Sequence, residues 1–311
     1  MDIKKALVIG GGGFIGTNLV RRLKKEGWHV TALDLHEPFF EESPADNFIV
    51  ADARFTLPVS LNTYDRIYQL AADMGGAGFV FTGDNDADIL SRSVAININL
   101  LQELVEWKFA GTVFYSSSVC IYSPEATAIC AEESMAYPAC ADSNYGWEKL
   151  YSERLYEAYV RNYGLNVRIA RFNNTYGPHG VYEGGREKSP AAVCRKVIQA
   201  DDVVEIWGDG QQVREFVYID DLLSGIETLI QSDITTPTNI GPDDAITIDE
   251  LVELARQVEN KDITVAHVDG PIGLQVRRTS NKGIKSLGWS PKVSTKEGIT
   301  KTYNWIKGQM K

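Results

Sequence analysis

The sequence has few of the residues that build disulfide frameworks and metal sites. Its 311 residues include four cysteines and four histidines, and no two cysteines stand in the CxxC spacing of a zinc site. We therefore expect free thiols, no bound metal and a cytoplasmic protein, since disulfides are rare in that compartment. No run of about 18 consecutive apolar residues occurs, so we also expect no membrane-spanning helix.

Positive charge is also scarce. Thirty-one lysine and arginine residues face 42 aspartate and glutamate residues, which gives a formal net charge of −11. A chain of this charge lacks the basic surface that binds nucleic acids without sequence preference, so we expect no nucleic-acid partner. It can still bind a small anion, because a few arginines and backbone N–H groups in one pocket can oppose the net field.

Apolar residues are plentiful, and their arrangement indicates an α/β fold. Hydrophobic residues make up 44% of the chain, which is enough for a large core. Short apolar runs such as 3–9, 29–35 and 112–116 alternate with helix-length periodic stretches such as 87–109 and 145–163. This alternation predicts βαβ units in a Rossmann-type parallel sheet flanked by helices.

A glycine-rich turn follows the first apolar run and opens an amphipathic stretch. Gly10 permits the tight turn, Gly13 lets the backbone approach a pyrophosphate, and Gly16 allows close packing of helix on strand. The pyrophosphate is expected at the helix N-terminus, where free N–H groups favour an anion. Asp34, 18 residues after Gly16, is placed to bind a ribose 2′-hydroxyl and to repel a 2′-phosphate, which favours NAD over NADP. Asp52 is a second candidate, either as a contact of the adenine or as a solvated loop carboxylate.

The strand–helix rhythm breaks near residue 172, where loops rich in glycine and proline begin. We predict that residues 1–172 form the NAD-binding domain and that residues 173–311 form a smaller mixed α/β lobe that binds the substrate. The segment 215–235 is predicted to return to the first domain, because 212–231 has the pattern of a strand followed by a helix.

A tyrosine and a lysine mark a candidate redox centre. Tyr145 and Lys149 are four residues apart, so they share one face of a predicted helix. A nearby ammonium favours ionisation of a phenol whose pKa is otherwise about 10, which makes the tyrosine a usable base. Ser118 ends a predicted strand, where its hydroxyl can bind the same substrate oxygen. With the dinucleotide fingerprint, these side chains predict catalysis at a hydroxyl or ketone of the substrate.

At these residues the chain resembles the extended short-chain dehydrogenase/reductase family, the NAD-dependent nucleotide-sugar epimerases and dehydratases. The resemblance covers nearly the whole chain and rests on GGGGFIG (10–16), LAA (70–72), SSSVCIY (116–122), YGWEK (145–149), RFNNTYGP (171–178), GDGQQVREFVYIDD (208–221) and LGWSP (287–291). It implies that Ser118, Tyr145 and Lys149 form the catalytic triad. It implies further cofactor contacts at Phe14, Ile15, Leu70, Ala71, Tyr145 and Lys149. It implies substrate contacts at Met74, Gly75, Gly76, Ser118, Asn174, Lys188, Arg214 and Arg277.

Three segments are more similar to the branch of this family that epimerises GDP-mannose at C3 and C5. They are AADMGGAGF (71–79), Cys120 within SSSVCIY, and GGREKSPAA (184–192). In that branch the residues matching Cys120 and Lys188 act as an acid–base pair on the two faces of the sugar. The resemblance implies a GDP-hexose substrate, transient oxidation at C4, proton exchange at C3 and C5, and re-reduction at C4. Val119 and Cys120 also stand where 4,6-dehydratases carry an Asp-Glu pair, which argues against a dehydratase.

The sequence departs from that branch at three places. Asn173 stands where a histidine is usual, Gln275 stands where an arginine is expected although Arg277 is kept, and 80–90 is dissimilar. These departures leave open a sugar or a base other than those of GDP-mannose.

Two other functions stay open on the sequence. One is a nucleotide-sugar 4-epimerase or 4-dehydrogenase in which Cys120 only packs. The other is an NAD-sensing regulator without turnover, although such a protein has no need of Tyr145 and Lys149. The family resemblance also implies a homodimer, and the many aromatic residues of 145–163 offer it a surface.

Overall fold

The structure, a computed structural model, describes residues 3–310; residues 1, 2 and 311, which the predicted domain bounds include, lie outside the described residues. The strands of the described part are β1 (Lys5–Ile9), β2 (His29–Asp34), β3 (Asn47–Val50), β4 (Arg66–Gln69), β5 (Thr112–Ser118), β6 (Asn166–Phe172), β7 (Asn174–Tyr176), β8 (Val203–Trp207), β9 (Val213–Arg214), β10 (Phe216–Tyr218), β11 (Thr238–Ile240), β12 (Ile246–Thr247) and β13 (Thr264–Val268). Its α-helices are α1 (Phe14–Lys25), α2 (Ala77–Val80), α3 (Asp86–Glu106), α4 (Pro124–Ile129), α5 (Asn144–Tyr163), α6 (Ser189–Gln199), α7 (Ile219–Gln231), α8 (Ile248–Gln257), α9 (Lys282–Lys285) and α10 (Thr295–Gln309).

A parallel sheet forms the centre of the molecule. Within residues 3–310 its seven strands run in the order β11-β6-β5-β4-β1-β2-β3. The side chains of β1 alternate between two hydrophobic cores: Ala6 and Val8 enter one, and Leu7 and Ile9 enter the other. A strand buried on both faces reads as a continuous apolar run, which explains why the sequence showed this sheet. The predicted Rossmann-type α/β fold is confirmed.

Helices cover both faces of the sheet. Helix α1 packs against α7 on one face, and α3 packs against α5 on the other. Within residues 3–310, none of the helices combines the length and the apolar composition that crossing a membrane requires.

The chain after β6 builds a smaller set of elements, and partway through it two elements, α7 and β11, return to the sheet. Helices α6, α8 and α10 pack together, beside the parallel pair β8–β13 and the antiparallel pair β9–β12. Helix α7 lies within the segment 215–235 that was predicted to return, and it packs on β6. The return extends further than this segment, because β11 also joins the sheet beside β6. Three buried residues, TNI, carry no periodicity that would predict a strand.

Candidate active site

A large cavity of about 660 Å³ lies at the carboxyl ends of the central strands. Helix α1 begins there, directly after Gly13, so the free N–H groups of its first turn face the cavity. Ligands of α/β sheets bind at this edge. The cavity wall holds every residue predicted to contact the cofactor: Gly10, Gly13, Phe14, Ile15, Gly16, Asp34, Asp52, Leu70, Ala71, Tyr145 and Lys149.

The glycine turn leaves room for a cofactor at Gly13, whereas side chains at Gly12 and Gly16 would clash with the protein main chain. A Cβ on Gly12 would lie 2.1 Å from the carbonyl oxygen of His36, and one on Gly16 would lie 2.0 Å from that of Gly10. A Cβ on Gly13, in contrast, would meet only the Gly10 carbonyl oxygen, at 3.5 Å. The turn is thus packed tightly against the protein while Gly13 stays open, which fits the approach of a dinucleotide pyrophosphate.

The two predicted acidic contacts differ in their surroundings. Asp34 accepts hydrogen bonds from the backbone N–H groups of Gly12 (3.0 Å) and Leu35 (2.7 Å), and burial raises the pKa of its carboxyl group. Asp52 is instead paired with Arg54, whose hydrogen bonds lower the pKa of the Asp52 carboxyl group. Both carboxylates line the cavity, but only Asp34 is held by the glycine turn itself.

Asp34→Asn is expected to weaken NAD binding by about tenfold or more, because a hydrogen bond to a charged group contributes about 1.5–3 kcal/mol. Isothermal titration of NAD into both proteins measures the change. Asp65→Asn is the matched control, since Asp65 also accepts a backbone N–H, that of Lys5 at 2.7 Å, and does not line the cavity. Equal affinities for NAD in the Asp34 variant and the wild type would contradict the assignment.

A second, smaller cavity of about 280 Å³ adjoins the first. The predicted substrate contacts Met74, Gly75, Gly76, Ser118, Asn174, Lys188, Arg214 and Arg277 all lie on its wall. The residues shared by both cavities are Met74, Ser118, Tyr145, Phe172, Asn173 and Lys188. Chemistry between a cofactor and a substrate must take place where their sites meet, and the predicted Ser118 and Tyr145 stand at that junction.

The redox pair lies at the start of α5. The Ser143 side chain caps this helix by accepting the Gly146 N–H at 3.2 Å. Lys149 donates from Nζ to the Ser116 carbonyl oxygen at 3.0 Å, and this Nζ lies 5.6 Å from the centre of the Tyr145 ring. Burial raises the pKa of the Tyr145 phenol, and a hydrogen bond with the Ser118 hydroxyl partly opposes this rise. Burial lowers the pKa of the Lys149 amine.

A buried carboxylate behind the redox pair was not predicted from the sequence. Glu148 accepts a hydrogen bond from the Ser152 hydroxyl at 2.8 Å, and its Oε2 lies 3.9 Å from Lys149 Nζ. This negative charge favours the protonated form of Lys149, although burial raises the pKa of Glu148 itself. Nothing in the pattern YGWEK distinguished this glutamate from a surface residue.

Cys120 lies in a short 3-10 turn (Val119–Ile121) that starts where β5 ends. The Ser118 hydroxyl accepts the Cys120 N–H at 3.2 Å and so caps the turn. The Cys120 sulfur accepts a hydrogen bond from Arg277 Nη1 at 3.3 Å. Burial raises the pKa of the thiol, while the Arg277 and Lys188 charges act to lower it.

Lys188 reaches the same cavity from the opposite part of the chain. It is the residue before α6, in a loop that packs against the predicted 74–76 segment. The Gly76 N–H donates to the Arg186 carbonyl oxygen at 3.1 Å, and a Cβ on Gly76 would lie 2.1 Å from the carbonyl oxygen of Glu187. Gly76 therefore lets the two loops touch, and burial lowers the pKa of the Lys188 amine.

The predicted anion-binding residues come together on the wall of the smaller cavity. Arg214 donates to the carbonyl oxygens of Val213 (2.8 Å) and Ile272 (2.9 Å). Burial, reinforced by the charge of Arg277, lowers the pKa of Arg214 to about 10. The basic residues Arg195 and Lys196, which were not predicted from the sequence, line the same cavity. A chain of net charge −11 thus presents a locally basic pocket.

One of the departures noted in the sequence, Asn173, has a clear structural role. Asn173 is buried, and its amide nitrogen donates to Glu215 Oε2 (3.0 Å) and to the Thr279 hydroxyl (2.7 Å). Gln275 contributes only its main-chain oxygen, which accepts the Val213 N–H at 2.8 Å, and nothing in the structure explains its side chain. Asn173 lies between the two cavities, so it shapes the junction without supplying an ionisable group.

Gly146→Ala is expected to destabilise the protein by about 2 kcal/mol, the cost of overpacking a close contact. A Cβ at this position would lie 2.1 Å from the carbonyl oxygen of Cys120. Gly308→Ala is the control: a Cβ added there, in α10, would have no atom within 4 Å, so this variant is expected to be neutral or slightly stabilising. Urea unfolding measures both; equal stabilities would contradict the contact.

The fold, the glycine turn and the Tyr–Lys pair are those of an enzyme that uses a nicotinamide cofactor at a hydroxyl or ketone, and its relatives make it an NAD-dependent nucleotide-sugar epimerase. The chain belongs to the NAD dependent epimerase/dehydratase family, whose sequence profile matches residues 6–241. The family resemblance and NAD as the cofactor, both predicted from the sequence, are confirmed.

Two plant enzymes and one bacterial structure are similar to this chain over almost its whole length. The chain is 40% identical to the GDP-mannose 3,5-epimerase of Arabidopsis thaliana over 316 residues, which is 98% of this chain and 83% of that protein. It is also 40% identical to the GDP-mannose 3,5-epimerase 1 of Oryza sativa subsp. indica over 313 residues, 97% of this chain and 82% of that protein. Among solved structures, a UDP-glucose 4-epimerase from Thermotoga maritima shares the fold, with a TM-score of 0.88, 24% identity, and 99% and 100% of the two chains covered.

Proposed function

We propose that this protein epimerises GDP-mannose, or a closely related GDP-hexose, at C3 and C5. The observation that carries the proposal is the presence of a thiol, Cys120, and an amine, Lys188, on the wall of the cavity that also holds Tyr145. A plain 4-epimerase needs no such second pair of acid–base groups. The 40% identity to two GDP-mannose 3,5-epimerases over most of the chain supports the choice of sugar nucleotide.

The first part of the reaction takes place at C4. When bound, NAD supplies reversible oxidation of the sugar at this carbon. Tyr145 takes the proton of the C4 hydroxyl at its phenolic oxygen, Ser118 holds the same oxygen, and the Lys149 ammonium stabilises the phenolate. Burial favours the neutral form of Tyr145, and we assign the opposing positive charge to Lys149, which is fixed on the Ser116 carbonyl oxygen.

The second part uses Cys120 and Lys188. A ketone at C4 acidifies the C–H bonds at C3 and C5, because the resulting carbanion is delocalised onto the ketone oxygen. One of the two groups removes the proton from one face, and the other delivers a proton to the opposite face. The amine of Lys188 has a lowered pKa, which suits a group that must give up and regain a proton near neutral pH.

The nucleotide is proposed to lie across the smaller lobe, residues 173–311 apart from the returning segment. Its diphosphate would be bound by Asn174, Arg214 and Arg277, which lie together on the wall of the smaller cavity. The positive charge of the two guanidinium groups suits this ligand, although the Nη donors of Arg214 face main-chain carbonyl oxygens and those of Arg277 face Cys120 and Asp142.

We also propose a homodimer formed through α5. The side chains of Trp147 and Tyr151, one turn apart on this helix, are 44% and 51% exposed and together offer an apolar surface to a partner. Sedimentation at micromolar concentration is expected to give the mass of two chains, and a monomer would reject the proposal.

Isotope exchange tests the reaction directly. The protein is incubated with NAD and GDP-mannose in deuterated water, and the recovered sugar nucleotide is analysed by NMR. Deuterium is expected at C3 and at C5. No label at either carbon with any of several GDP-hexoses would overturn the proposal, and inversion at C4 without label would instead identify a 4-epimerase. That alternative is favoured by one observation: the Cys120 sulfur is already hydrogen-bonded to Arg277.

A further inference from the structure

One guanidinium group joins Cys120 to a carboxylate that the proposed reaction does not use. Arg277 donates from Nη1 to the Cys120 sulfur at 3.3 Å, and its Nη2 pairs with Oδ2 of Asp142. The Asp142 side chain is fully buried and that of Arg277 is 6% exposed. A second link runs through the backbone, since the Asp142 N–H donates to the Cys120 carbonyl oxygen at 3.2 Å.

The position of Asp142 is itself fixed. Its Oδ1 accepts a hydrogen bond from the Ser143 hydroxyl at 2.7 Å, and Ser143 is the capping residue of α5. The carboxylate is thus anchored at the start of the helix that carries Tyr145. A guanidinium bound to it has little freedom to turn away from Cys120.

Opposite charges act on the thiol in this arrangement. Burial raises the pKa of Cys120, the Arg277 charge lowers it, and the Asp142 charge raises it again. The titratable and charged groups near this thiol are Asp142, Tyr145, Lys149, Lys188, Arg214 and Arg277. Among them, Asp142 is the carboxylate that shares a cation with the sulfur.

We propose that Asp142 is a positioning residue for Cys120: it orients Arg277 against the sulfur and limits how strongly that cation favours the thiolate. The role rests on the proposed function, in which Cys120 either removes a proton from carbon or delivers one to it, and must return to its starting protonation state before the next turnover. A group that exchanges protons with carbon in each turnover must not be held permanently in one protonation state. Arg277 stabilises the thiolate enough for it to form. Asp142 offsets part of that effect, so the thiolate stays basic enough to take a proton from carbon.

Alkylation of the thiol as a function of pH tests this role. The NAD-loaded protein is treated with iodoacetamide, and the rate at Cys120 is followed by mass spectrometry of its peptide, which separates it from the other three cysteines. In Asp142→Asn the pH of half-maximal rate is expected to fall by about one unit, the effect of removing a like charge close to a thiolate. Glu227→Gln is the matched control, because Glu227 pairs with Arg66 at 2.8 Å outside the site, and its midpoint should equal that of the wild type.

The result that overturns the proposal is an unchanged or raised midpoint in a folded Asp142→Asn protein, because the carboxylate would then not limit the effect of Arg277 on the thiol. If Asp142→Asn does not fold, Arg277→Gln is compared with the double variant Asp142→Asn, Arg277→Gln. The double variant is expected to have the lower midpoint by about one unit, because it lacks the carboxylate. Equal midpoints overturn the proposal in that case.

The alkylation experiment uses no sugar nucleotide, so it separates this inference from the proposed function. A shifted midpoint without deuterium exchange at C3 and C5 supports the coupling and rejects the 3,5-epimerase. Deuterium exchange with an unshifted midpoint supports the epimerase and rejects the role of Asp142. When both hold, the pH profile of exchange should shift in Asp142→Asn by the same amount as the alkylation midpoint.

Discussion

Replacing Tyr145 with phenylalanine is expected to lower the rate of GDP-mannose epimerisation by about a thousandfold, the contribution of a well-placed general base. The variant keeps the ring that lines both cavities and loses only the oxygen that takes the C4 proton. Binding of NAD should change little, because the glycine turn and Asp34 are untouched. Product formation is followed by chromatography of the sugar nucleotides, and NAD affinity is measured by calorimetry.

Tyr163→Phe provides the matched control for this variant. Tyr163 is the last residue of the same helix and is 57% exposed, remote from either cavity wall. The Tyr163→Phe protein should epimerise GDP-mannose at the wild-type rate. A Tyr145 variant that retains more than a tenth of that rate would show that another group takes the C4 proton.

Replacing Cys120 with alanine is expected to slow deuterium exchange from solvent by about a thousandfold, while oxidation at C4 continues. The sulfur is the group proposed to exchange protons with carbon, whereas Ser118, Tyr145 and Lys149 keep their contacts. Single-turnover absorbance of the reduced nicotinamide measures the C4 step, and NMR measures the exchange. The two readouts therefore separate redox chemistry from carbon acid chemistry.

The control for this variant is Cys140→Ala, which removes an exposed thiol away from both cavities. Full exchange is expected in that protein. Full turnover in Cys120→Ala, in contrast, would mean that Cys120 only packs, as in the 4-epimerase alternative.

The parts of the site that could be predicted from the sequence are those built from neighbouring residues. Strand β1, the glycine turn and α1 follow one another within the first 25 residues, so their pattern is readable along the chain. Tyr145 and Lys149 are likewise joined by helical spacing. Resemblance to a known family then supplied Cys120 and Lys188, which spacing alone does not connect.

The parts that were missed depend on tertiary contacts between distant segments. Asp142 and Arg277 are 135 residues apart, and nothing in either segment indicates that they pair. Strand β11 has only three residues and is formed by pairing with the edge of β6. The sequence shows no sign of this pairing, so the returning segment was predicted to end at residue 235. Glu148 is buried because α3 and α5 pack face to face, which periodicity in α5 did not reveal.

The close approach at Gly146 has a consequence for how the chemistry of such a protein can diversify. The atom that Gly146 faces is the main-chain oxygen of Cys120, not its sulfur. Any residue at position 120 therefore preserves the contact that seats the helix of Tyr145 and Lys149 beside the end of β5. A lineage can exchange the side chain at this position, and with it the reaction carried out on the ketone, while inheriting the hydride-transfer machinery intact.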